Sequence, residues 1–245
     1  MPDTKNRALA IFDLDQTLLY GDSFRLFIWY YYAHHTPGYL YIPILAVVYL
    51  LRKTRLISLQ RAKELCLIGL KGMDRDAIDK VGKAFFNDVL KNRFSYKAID
   101  RVLWHRSRRD LLYLATASPD VYIKPIVQWL QMDGYVASEL HYRDDRFSGH
   151  FTGADCLGEE KLRRLRQRLP DAPWLHSYAY SDSLSDQPLL HAVKYGIITS
   201  DTEKHTRQAH RFGWMVTDFA RDDTLRRRLE QDRKSTRLNS SHGKL

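Results

Sequence analysis

A short apolar run that ends in two carboxylates most constrains the fold of this chain. The segment Arg7 to Phe12 has the sequence RALAIF, and Asp13 and Asp15 follow it directly. An apolar run of this length, bounded by polar residues, is typical of a strand that is covered on both faces. Such strands belong to parallel sheets, in which ligand-binding loops follow the carboxyl ends of the strands. The sequence therefore predicts a buried first strand followed by an acidic loop.

The same arrangement of apolar run and polar loop recurs twice further along the chain. Leu111 to Ala115 ends at Thr116-Ala117-Ser118, and Leu175 to Tyr180 ends at the acidic stretch Ser181 to Asp186. Strands that alternate with helices predict an α/β fold with a mainly parallel sheet. The other predicted elements are a helix at Ile123–Gln131, a hairpin of Val136–Tyr142 with Arg146–Thr152, a helix at Glu159–Leu169, and strands at Tyr195–Thr199 and Gly213–Thr217.

The residues between the first two predicted strands have helical patterns and no strand pattern. We therefore predict a helical cap of residues 20–105, inserted after the first strand of a core that comprises residues 1–19 and 106–232. Residues 233–245 are polar and resemble a translated sequencing adapter. They are predicted to be a disordered or artefactual tail and are excluded from the fold argument.

Within the predicted cap, Leu26 to Leu51 contains no Asp, Glu, Lys or Arg. Pro37-Gly38 interrupts this stretch, and the part that follows is shorter than the roughly 18–20 residues that a membrane-spanning helix needs. Two short helices are predicted, either at an interface or buried in a helical subdomain. Patterning alone favours hydrophobic core. Leu45, Val48 and Leu51 are the residues we expect to contact lipid if the stretch lies on a membrane.

A strongly basic segment follows the uncharged stretch directly. Residues 52–109 hold 16 Lys and Arg against 6 Asp and Glu, which equals the net charge of +10 of the whole chain. Such a segment indicates an anionic partner, which is nucleic acid, a membrane surface or a phosphorylated substrate; the alternative is a solvated helical face. The segment lacks the interleaved aromatic and basic residues of RNA-binding modules, so no nucleic-acid partner is expected.

The cysteine content and the start of the chain bear on its location. Cys66 and Cys156 are the only two cysteines, too few for a disulfide framework. The apolar run Ala8 to Phe12 is too short for a signal peptide. We therefore expect a reducing, cytoplasmic location.

The three polar loops together predict a catalytic site. In a parallel sheet they lie at the carboxyl edge, where carboxylates such as Asp13 and Asp182 repel one another unless a cation joins them. Hard oxygen ligands favour Mg²⁺. Lys161, at the start of a predicted helix, would add a fixed positive charge. Carboxylates, a hydroxyl group, a lysine and a divalent cation are the groups that transfer of a phosphoryl group requires.

At these residues the chain resembles the phosphatases of the haloacid dehalogenase superfamily. DLDQTL at residues 13–18 matches the first motif of that family, Thr116 the second, Lys161 the third, and DSLSD at residues 182–186 the fourth. The resemblance spans about residues 8–217. It implies a Rossmann-like core, and it is strongest to the subgroup of phosphoserine phosphatases. Within that subgroup, residues 156–161 and 180–183 resemble a bacterial branch that contains phosphatidylglycerophosphatase.

The resemblance also implies a role for each matching residue. Asp13 would be the nucleophile that forms an aspartyl-phosphate, and Asp15 the acid that protonates the leaving alcohol and then activates water. Mg²⁺ would be held by the Asp13 carboxylate, the Asp15 main-chain carbonyl and Asp182. Thr116 and Lys161 would bind the phosphoryl oxygens. Asp186 would support the residues that hold the metal.

Three positions depart from the phosphoserine phosphatase pattern. Asp22 stands where those enzymes carry a glutamate that receives the serine amine, and it is either a substrate contact or a helix cap. Ala117 and Ser118 replace two glycines, and Ser118 is a candidate substrate contact or a plain loop hydroxyl. Ser185 replaces an asparagine. These changes agree with phosphate ester hydrolysis and disfavour phosphoserine as the substrate.

Three functions remain in competition at the level of sequence. The first is a Mg²⁺-dependent phosphatase that acts on an anionic lipid phosphate, such as phosphatidylglycerophosphate, in peripheral contact with the inner face of the membrane. The second is a soluble small-molecule phosphatase, and the third a non-enzymatic basic membrane-binding module. The sequence does not specify the oligomeric state.

Overall fold

The computed structural model describes residues 7–35, 41–200 and 202–219. Within these residues, six strands form one sheet in the order β3-β2-β1-β6-β7-β8, and the other two form a separate antiparallel hairpin. The predicted α/β fold with a Rossmann-like parallel sheet is confirmed. The strands are β1 (Leu9–Phe12), β2 (Leu111–Pro119), β3 (Gly134–Ser138), β4 (Leu140–Arg143), β5 (Arg146–Phe151), β6 (Tyr178–Ser181), β7 (Tyr195–Ile198) and β8 (Met215–Val216).

The helices follow the apolar spacing of the sequence, and several begin at side chains that cap them. The carboxylate of Asp74 and the hydroxyls of Ser58 and Ser95 each accept the main-chain N–H three residues on, which satisfies a donor that the helix itself leaves unpaired. The α-helices are α1 (Ser23–His34), α2 (Ile42–Lys53), α3 (Leu59–Cys66), α4 (Arg75–Phe85), α5 (Tyr96–Ser107), α6 (Ile123–Leu130), α7 (Glu159–Arg168), α8 (Gln187–Ala192) and α9 (Glu203–Phe212).

By compactness the chain divides into two units. The first unit comprises residues 1–21, 89–112 and 172–245, and the second comprises residues 22–88 and 113–171. The described residues of the predicted cap contain helices α1 to α4, all of α5 except its last two residues, and no β-strand. Its boundaries with the core stay a prediction, and the predicted tail lies outside the described residues.

The first unit is built on β1, of which every residue is buried. β1 pairs in parallel with β6, where Ile11 lies opposite Ala179, and β6 pairs with β7 in the same sense. The rings of Phe12 and Tyr180 stack with their centroids 4.6 Å apart. These contacts make β1 a fully covered strand, which fixes the position at which the acidic loop begins.

The second unit has an aromatic core beneath α1 and α4. The ring of Phe27 packs against Phe85 and Tyr122, with centroids 5.2 and 5.3 Å away. A Cβ atom at Gly82 would lie 1.8 Å from the main-chain oxygen of Val121, so α4 can approach this backbone only because residue 82 is glycine. This close packing holds α4 against the segment that follows β2.

The predicted hairpin of Val136–Tyr142 with Arg146–Thr152 is wrong in its first arm. Residues up to Ser138 belong to β3, which pairs in parallel with β2, and the hairpin arm β4 begins only at Leu140. The run from Val136 to Tyr142 contains no Gly or Pro, so no turn signal separated the two strands.

The uncharged stretch forms two short helices, as predicted. α1 and α2 each have 12 residues. No helix among the described residues has the length and apolarity needed to cross a bilayer.

Candidate active site

Asp13 is the first residue after β1, in the first unit, and its side chain is buried. Its N–H donates to the carbonyl of Tyr180 at 2.9 Å, so the ladder between β1 and β6 continues one residue beyond the strand. The chain then turns tightly, because the carbonyl of Leu14 accepts the N–H groups of Leu18 and Leu19 at 2.9 and 3.1 Å. The sheet therefore fixes the backbone that carries the Asp13 carboxylate.

Asp15 lies inside this turn and is more accessible to solvent than Asp13. Gln16 has a φ of 58°, the left-handed conformation, which reverses the chain between Asp15 and Thr17. A partly exposed carboxyl group can exchange its proton with water, whereas a fully buried one cannot do so readily. The position of Asp15 therefore suits a group that gives and takes a proton.

Thr17 joins the two loops that carry carboxylates in the first unit. Its buried hydroxyl accepts the main-chain N–H of Asp182 at 3.0 Å and lies 3.2 Å from the hydroxyl of Thr199. The loops after β1 and β6 are thus held side by side through one side chain. Thr17 was not among the predicted site residues, although its place in the DLDQTL motif was a usable signal.

The loop after β6 is organised around the buried Asp186. Its carboxylate accepts the hydroxyl proton of Ser181 at 2.7 Å, and the Ser181 oxygen in turn accepts the N–H of Ser183 at 3.1 Å. These bonds fix the loop on which Asp182 stands, and Asp182 itself is partly exposed. Asp186 is thus placed to support that loop, which is compatible with the predicted supporting role.

In the second unit, the sequence predicted a loop at Thr116-Ala117-Ser118, but β2 continues to Pro119, so these residues form the end of the strand, and Thr116 is buried. Its hydroxyl accepts the N–H of Ser118 at 3.0 Å, which curls the end of the strand. The hydroxyl of Ser118 lies 3.0 Å from that of Ser23, which is 3.1 Å from the phenol oxygen of Tyr122. Ser118 therefore belongs to a buried network of hydroxyl groups that connects the end of β2 to the start of α1.

Asp22 caps α1. Its carboxylate accepts the N–H of Arg25 at 2.9 Å, and the residue is exposed. The sequence left two roles open for Asp22, and this hydrogen bond supports the role of helix cap. The role as a substrate contact stays a prediction.

Lys161 stands in the first turn of α7 and is only 2% exposed. Gly158, just before the helix, has a φ of 59° and a ψ of −124°, a conformation suited to glycine. A lysine buried at the positive end of a helix is electrostatically unfavourable unless anionic groups lie beside it. The position of Lys161 is thus compatible with a residue that binds anionic oxygens.

A buried ion pair that the sequence did not reveal holds the end of β2. The ammonium group of Lys63, on α3, donates to the carbonyl of Ala117 at 2.8 Å and to both carboxylate oxygens of Asp155 at 3.0 and 2.8 Å. The hydroxyl of Ser138 also donates to the carbonyl of Ala117, at 3.0 Å. Because Ala117 separates Thr116 from Ser118, these bonds fix the backbone of both candidate residues. Lys63 is 54 residues from Ala117 and 92 from Asp155, so no local pattern indicated the contact.

The donor atoms of the first unit fit Mg²⁺. Among the described residues, no three side chains of His, Cys, Asp or Glu lie together as a metal-binding group. Mg²⁺ does not require such a group, because it usually takes one or two carboxylates and completes its six oxygen ligands with water and substrate phosphate. Asp13 and Asp182, on loops joined through Thr17, supply two such carboxylates.

The parallel sheet and the two linked acidic loops define an α/β protein with a candidate active site at the carboxyl ends of its strands. A model of the family described as haloacid dehalogenase-like hydrolase matches residues 10–191, which is most of the chain. The chain belongs to the haloacid dehalogenase-like hydrolase family.

Relatives by sequence carry phosphatase names. The chain is 24% identical to the "Probable phosphatase" of Mycobacterium tuberculosis, an alignment that covers 91% of this chain and 79% of the relative. It is also 24% identical to the histidinol-phosphatase of Neisseria meningitidis, with 86% of this chain and 98% of the relative covered. The family and these relatives make the protein a phosphatase, and the non-enzymatic alternative loses its support.

Solved structures confirm the fold. A protein of unknown function from Bordetella pertussis superposes with a TM-score of 0.78 at 27% identity, over 87% of this chain and 99% of that protein. A phospho-aspartyl intermediate analogue of phosphoserine phosphatase superposes with a TM-score of 0.60 at 15% identity, over 93% of this chain and 99% of that protein. At that identity the second likeness establishes the fold alone.

Proposed function

We propose that this protein is a Mg²⁺-dependent phosphomonoester hydrolase that works through an aspartyl-phosphate on Asp13. The observation that carries the proposal is the hydrogen bond from the Asp182 N–H to the Thr17 hydroxyl, at 3.0 Å. It links the loop of the buried Asp13 to a second acidic loop. Two carboxylates on linked loops repel each other unless a divalent cation neutralises them, and that cation also neutralises a phosphate ester.

In the proposed reaction, a carboxylate oxygen of Asp13 attacks phosphorus. The bond from phosphorus to Asp13 forms as the bond to the ester oxygen breaks, and Asp15 gives its proton to the leaving alcohol. Water then attacks the phosphorus of the aspartyl-phosphate, and Asp15 takes up a proton from that water. The bond from phosphorus to the Asp13 oxygen breaks, which regenerates the Asp13 carboxylate and releases inorganic phosphate. Dividing hydrolysis in this way replaces one difficult displacement by two easier ones.

Further residues would bind the transferred group. The hydroxyl of Thr116 and the ammonium group of Lys161 would bind the phosphoryl oxygens. The Asp13 and Asp182 carboxylates and the Asp15 carbonyl would hold Mg²⁺, which supplies positive charge for the phosphoryl oxygens. Asp186 would hold the Asp182 loop. Two residues, Ser118 and Asp22, remain candidate contacts for the rest of the substrate.

For the substrate we propose an anionic lipid phosphate such as phosphatidylglycerophosphate, met at the cytoplasmic face of the membrane. This proposal keeps the chain in the phosphoserine-phosphatase-like subgroup, near the branch that contains phosphatidylglycerophosphatase. Its support is the uncharged stretch Leu26–Leu51 followed by the basic residues 52–109. Asp22 and Ser185, which replace residues of the phosphoserine phosphatase pattern, favour a substrate other than phosphoserine.

A soluble small phosphate ester is the second candidate substrate. The observation that favours it is the match to the histidinol-phosphatase, which extends over 98% of that relative. Hydrolysis of either candidate follows the same chemistry at phosphorus. The two substrates differ only in the alcohol that is released.

The experiment is phosphate release from a panel of lipid and soluble phosphomonoesters, each measured with Mg²⁺ and with excess chelator. We expect Mg²⁺-dependent release, fastest on phosphatidylglycerophosphate, and recovery when Mg²⁺ is restored. Asp182→Ala should abolish the Mg²⁺-dependent rate because it opens the metal site. Full activity in excess chelator would contradict the metal assignment. Faster release from histidinol phosphate or phosphoserine would replace the lipid substrate by the soluble one.

A further inference from the structure

Helix α2 shows most of its apolar residues to solvent. Of its 12 residues, the structure buries only Val48. Val47, Tyr49 and Leu50 are 55, 69 and 59% exposed. A helix of a water-soluble domain normally turns its apolar side to the core and its polar side to water, which α2 does not do. The exposed residues of α2 other than its two basic ones are Ile42, Pro43, Ile44, Ala46, Val47, Tyr49 and Leu50.

The apolar surface continues beyond the end of α2. Leu56, in the turn towards α3, is 73% exposed, and Leu59 at the start of α3 is also exposed. Single exposed apolar residues are common on protein surfaces, but a contiguous group of this kind marks a surface that another apolar phase or partner covers. We therefore expect a membrane or a protein partner to cover this surface.

Charge indicates which occupant fits. Arg52, Lys53 and Arg55 are exposed and lie where α2 ends, and residues 23–63 contain no Asp or Glu. An apolar helix face with basic residues at its border is typical of a helix that lies in the interface of an anionic bilayer. A second copy of this chain would bring the same positive residues towards one another.

We infer that the α2 surface, defined as Ile44, Val47, Leu50 and Leu56 together with Arg52, Lys53 and Arg55, docks on anionic lipid membranes. At about 1.5 Å per residue, α2 is too short to cross a bilayer but long enough to lie in its interface. The apolar residues enter the region of the acyl chains while the basic residues meet lipid phosphates. Docking itself does not depend on the proposed function. Only the further step, that docking brings a lipid substrate to the enzyme, rests on it.

The structure corrects the residues expected to contact lipid. Val48 is only 4% exposed, and Leu45 and Leu51 are partly buried, so these three form the inner side of α2. The residue that precedes each of them in the sequence lies on the outer side of the helix. Ile44, Val47 and Leu50 are therefore the right positions for a test.

The experiment is cosedimentation of the full chain with vesicles of phosphatidylglycerol and phosphatidylcholine, compared with phosphatidylcholine alone. We expect binding to the anionic vesicles in 0.1 M salt. Binding should weaken but persist in 1 M salt, because the Debye length falls from about 10 Å to about 3 Å and screens only the electrostatic part. The variant Ile44→Ser, Val47→Ser, Leu50→Ser should lose at least about tenfold in partitioning, since three exposed apolar side chains no longer enter the lipid.

A matched control removes three exposed apolar side chains elsewhere. Leu103, Leu175 and Met215 are 46, 80 and 47% exposed. Serine at these positions should leave partitioning within about twofold of the parent, because none belongs to the α2 surface. Thermal unfolding of both variants shows whether they fold. If both variants lost the same amount of partitioning, the binding would depend on overall surface hydrophobicity and not on the α2 surface, and the inference would be overturned.

Further outcomes separate this inference from the proposed function. No binding of the parent to anionic vesicles, or undiminished binding of the α2 variant, overturns docking whatever the enzyme hydrolyses. A parent dimer that the α2 variant converts to a monomer, with no vesicle binding, would assign the surface to a second copy and overturn docking as well. Docking together with hydrolysis of soluble esters alone would keep the inference and remove the lipid substrate. The α2 variant should hydrolyse a soluble aryl phosphate at the parent rate.

Discussion

At the scale of single residues, hydroxyl groups organise the two acidic loops of the first unit. Thr17 connects the loops of Asp13 and Asp182, and Ser181 connects Asp186 to the backbone of its own loop. Buried hydroxyls are suited to this task because each can accept an N–H and donate its own proton. The carboxylates would carry the chemistry, and neighbouring hydroxyls hold the loops on which they stand.

Replacing Thr17 by valine tests this role. Valine keeps the shape but leaves the Asp182 N–H without its acceptor, which costs about 1–3 kcal/mol for a buried group. We expect Thr17→Val to raise the Mg²⁺ concentration required for half-maximal activity, since the Asp182 loop is no longer fixed. Thr17→Ser, which keeps the hydroxyl, is the matched control and should stay near the parent. Identical Mg²⁺ dependence in all three proteins would rule out the positioning role.

Asp120 gives a prediction about stability and pH. Burial raises the pKa of its carboxyl from 3.8 to about 7, while its oxygen accepts the N–H of Leu140 at 3.1 Å. The folded state therefore favours the protonated acid, and the stability it contributes is complete below about pH 4 and lost as pH rises towards 7. An asparagine side chain at this position would keep the acceptor and stay neutral, so Asp120→Asn should raise the free energy of unfolding at pH 8 by roughly 4 kcal/mol, at about 1.4 kcal/mol for each unit by which the pKa is raised.

The measurement for Asp120 is urea unfolding of parent and variant at pH 4.5 and pH 8. The difference between the two proteins should be small at pH 4.5 and should favour the variant at pH 8. An equal difference at both pH values would show that Asp120 titrates as an ordinary surface carboxylate.

At the scale of elements, α3 helps to support the end of β2. The side chains of Lys63 and Asp155 are each 10% exposed, and their ion pair holds the carbonyl of Ala117. The helical segment between the first two strands thus contacts the end of β2 directly. The bond between Lys63 and Ala117 connects a helix of that segment to the strand end that carries Thr116, a candidate phosphate-binding residue.

Breaking the pair from one side should cost more than removing both charges. Lys63→Met leaves the Asp155 charge buried and alone, and Asp155→Asn does the same to Lys63, a situation that typically costs about 3–5 kcal/mol. We expect the double variant to be less destabilised than the sum of the single variants in urea unfolding. Exposed Lys80→Met is the control and should be neutral. Additive losses in the double variant would contradict a direct pairing.

The Lys63 variants also test positioning of Thr116. If the Ala117 carbonyl fixes the Thr116 backbone, Lys63→Met should weaken inhibition by inorganic phosphate and raise KM for a soluble aryl phosphate. Lys63→Arg, which keeps the charge, should recover part of both. Loss of stability with unchanged phosphate inhibition would assign Lys63 to folding alone.

At the scale of the whole molecule, the sequence predicted what depends on neighbours along the chain. Apolar runs that end in polar loops gave β1, β2 and β6, because burial and strand length are local properties. Contacts across long separations left no such trace. The pairing of Lys63 with Asp155 is one case, and the join of β3 to the main sheet rather than to the hairpin is another.

The orientation of α2 shows the same limit. Nearly every residue from Ile42 to Leu51 is apolar, so the hydrophobic pattern did not distinguish an inner from an outer side. Only the packing of α2 showed that Val48 faces inward and Val47 outward. By contrast, the buried position of Asp13 followed from the strand before it, and that residue carries the central claim.

Trapping the aspartyl-phosphate tests that claim most directly. The enzyme is mixed with a ³²P-labelled phosphomonoester and Mg²⁺ and quenched in acid within milliseconds, and the protein is assayed for bound label. We predict label that hydroxylamine releases, as an acyl phosphate requires, with none in Asp13→Asn, since an amide cannot act as this nucleophile. Label of equal amount in Asp13→Asn, or turnover by that variant within about tenfold of the parent, would contradict a nucleophilic Asp13.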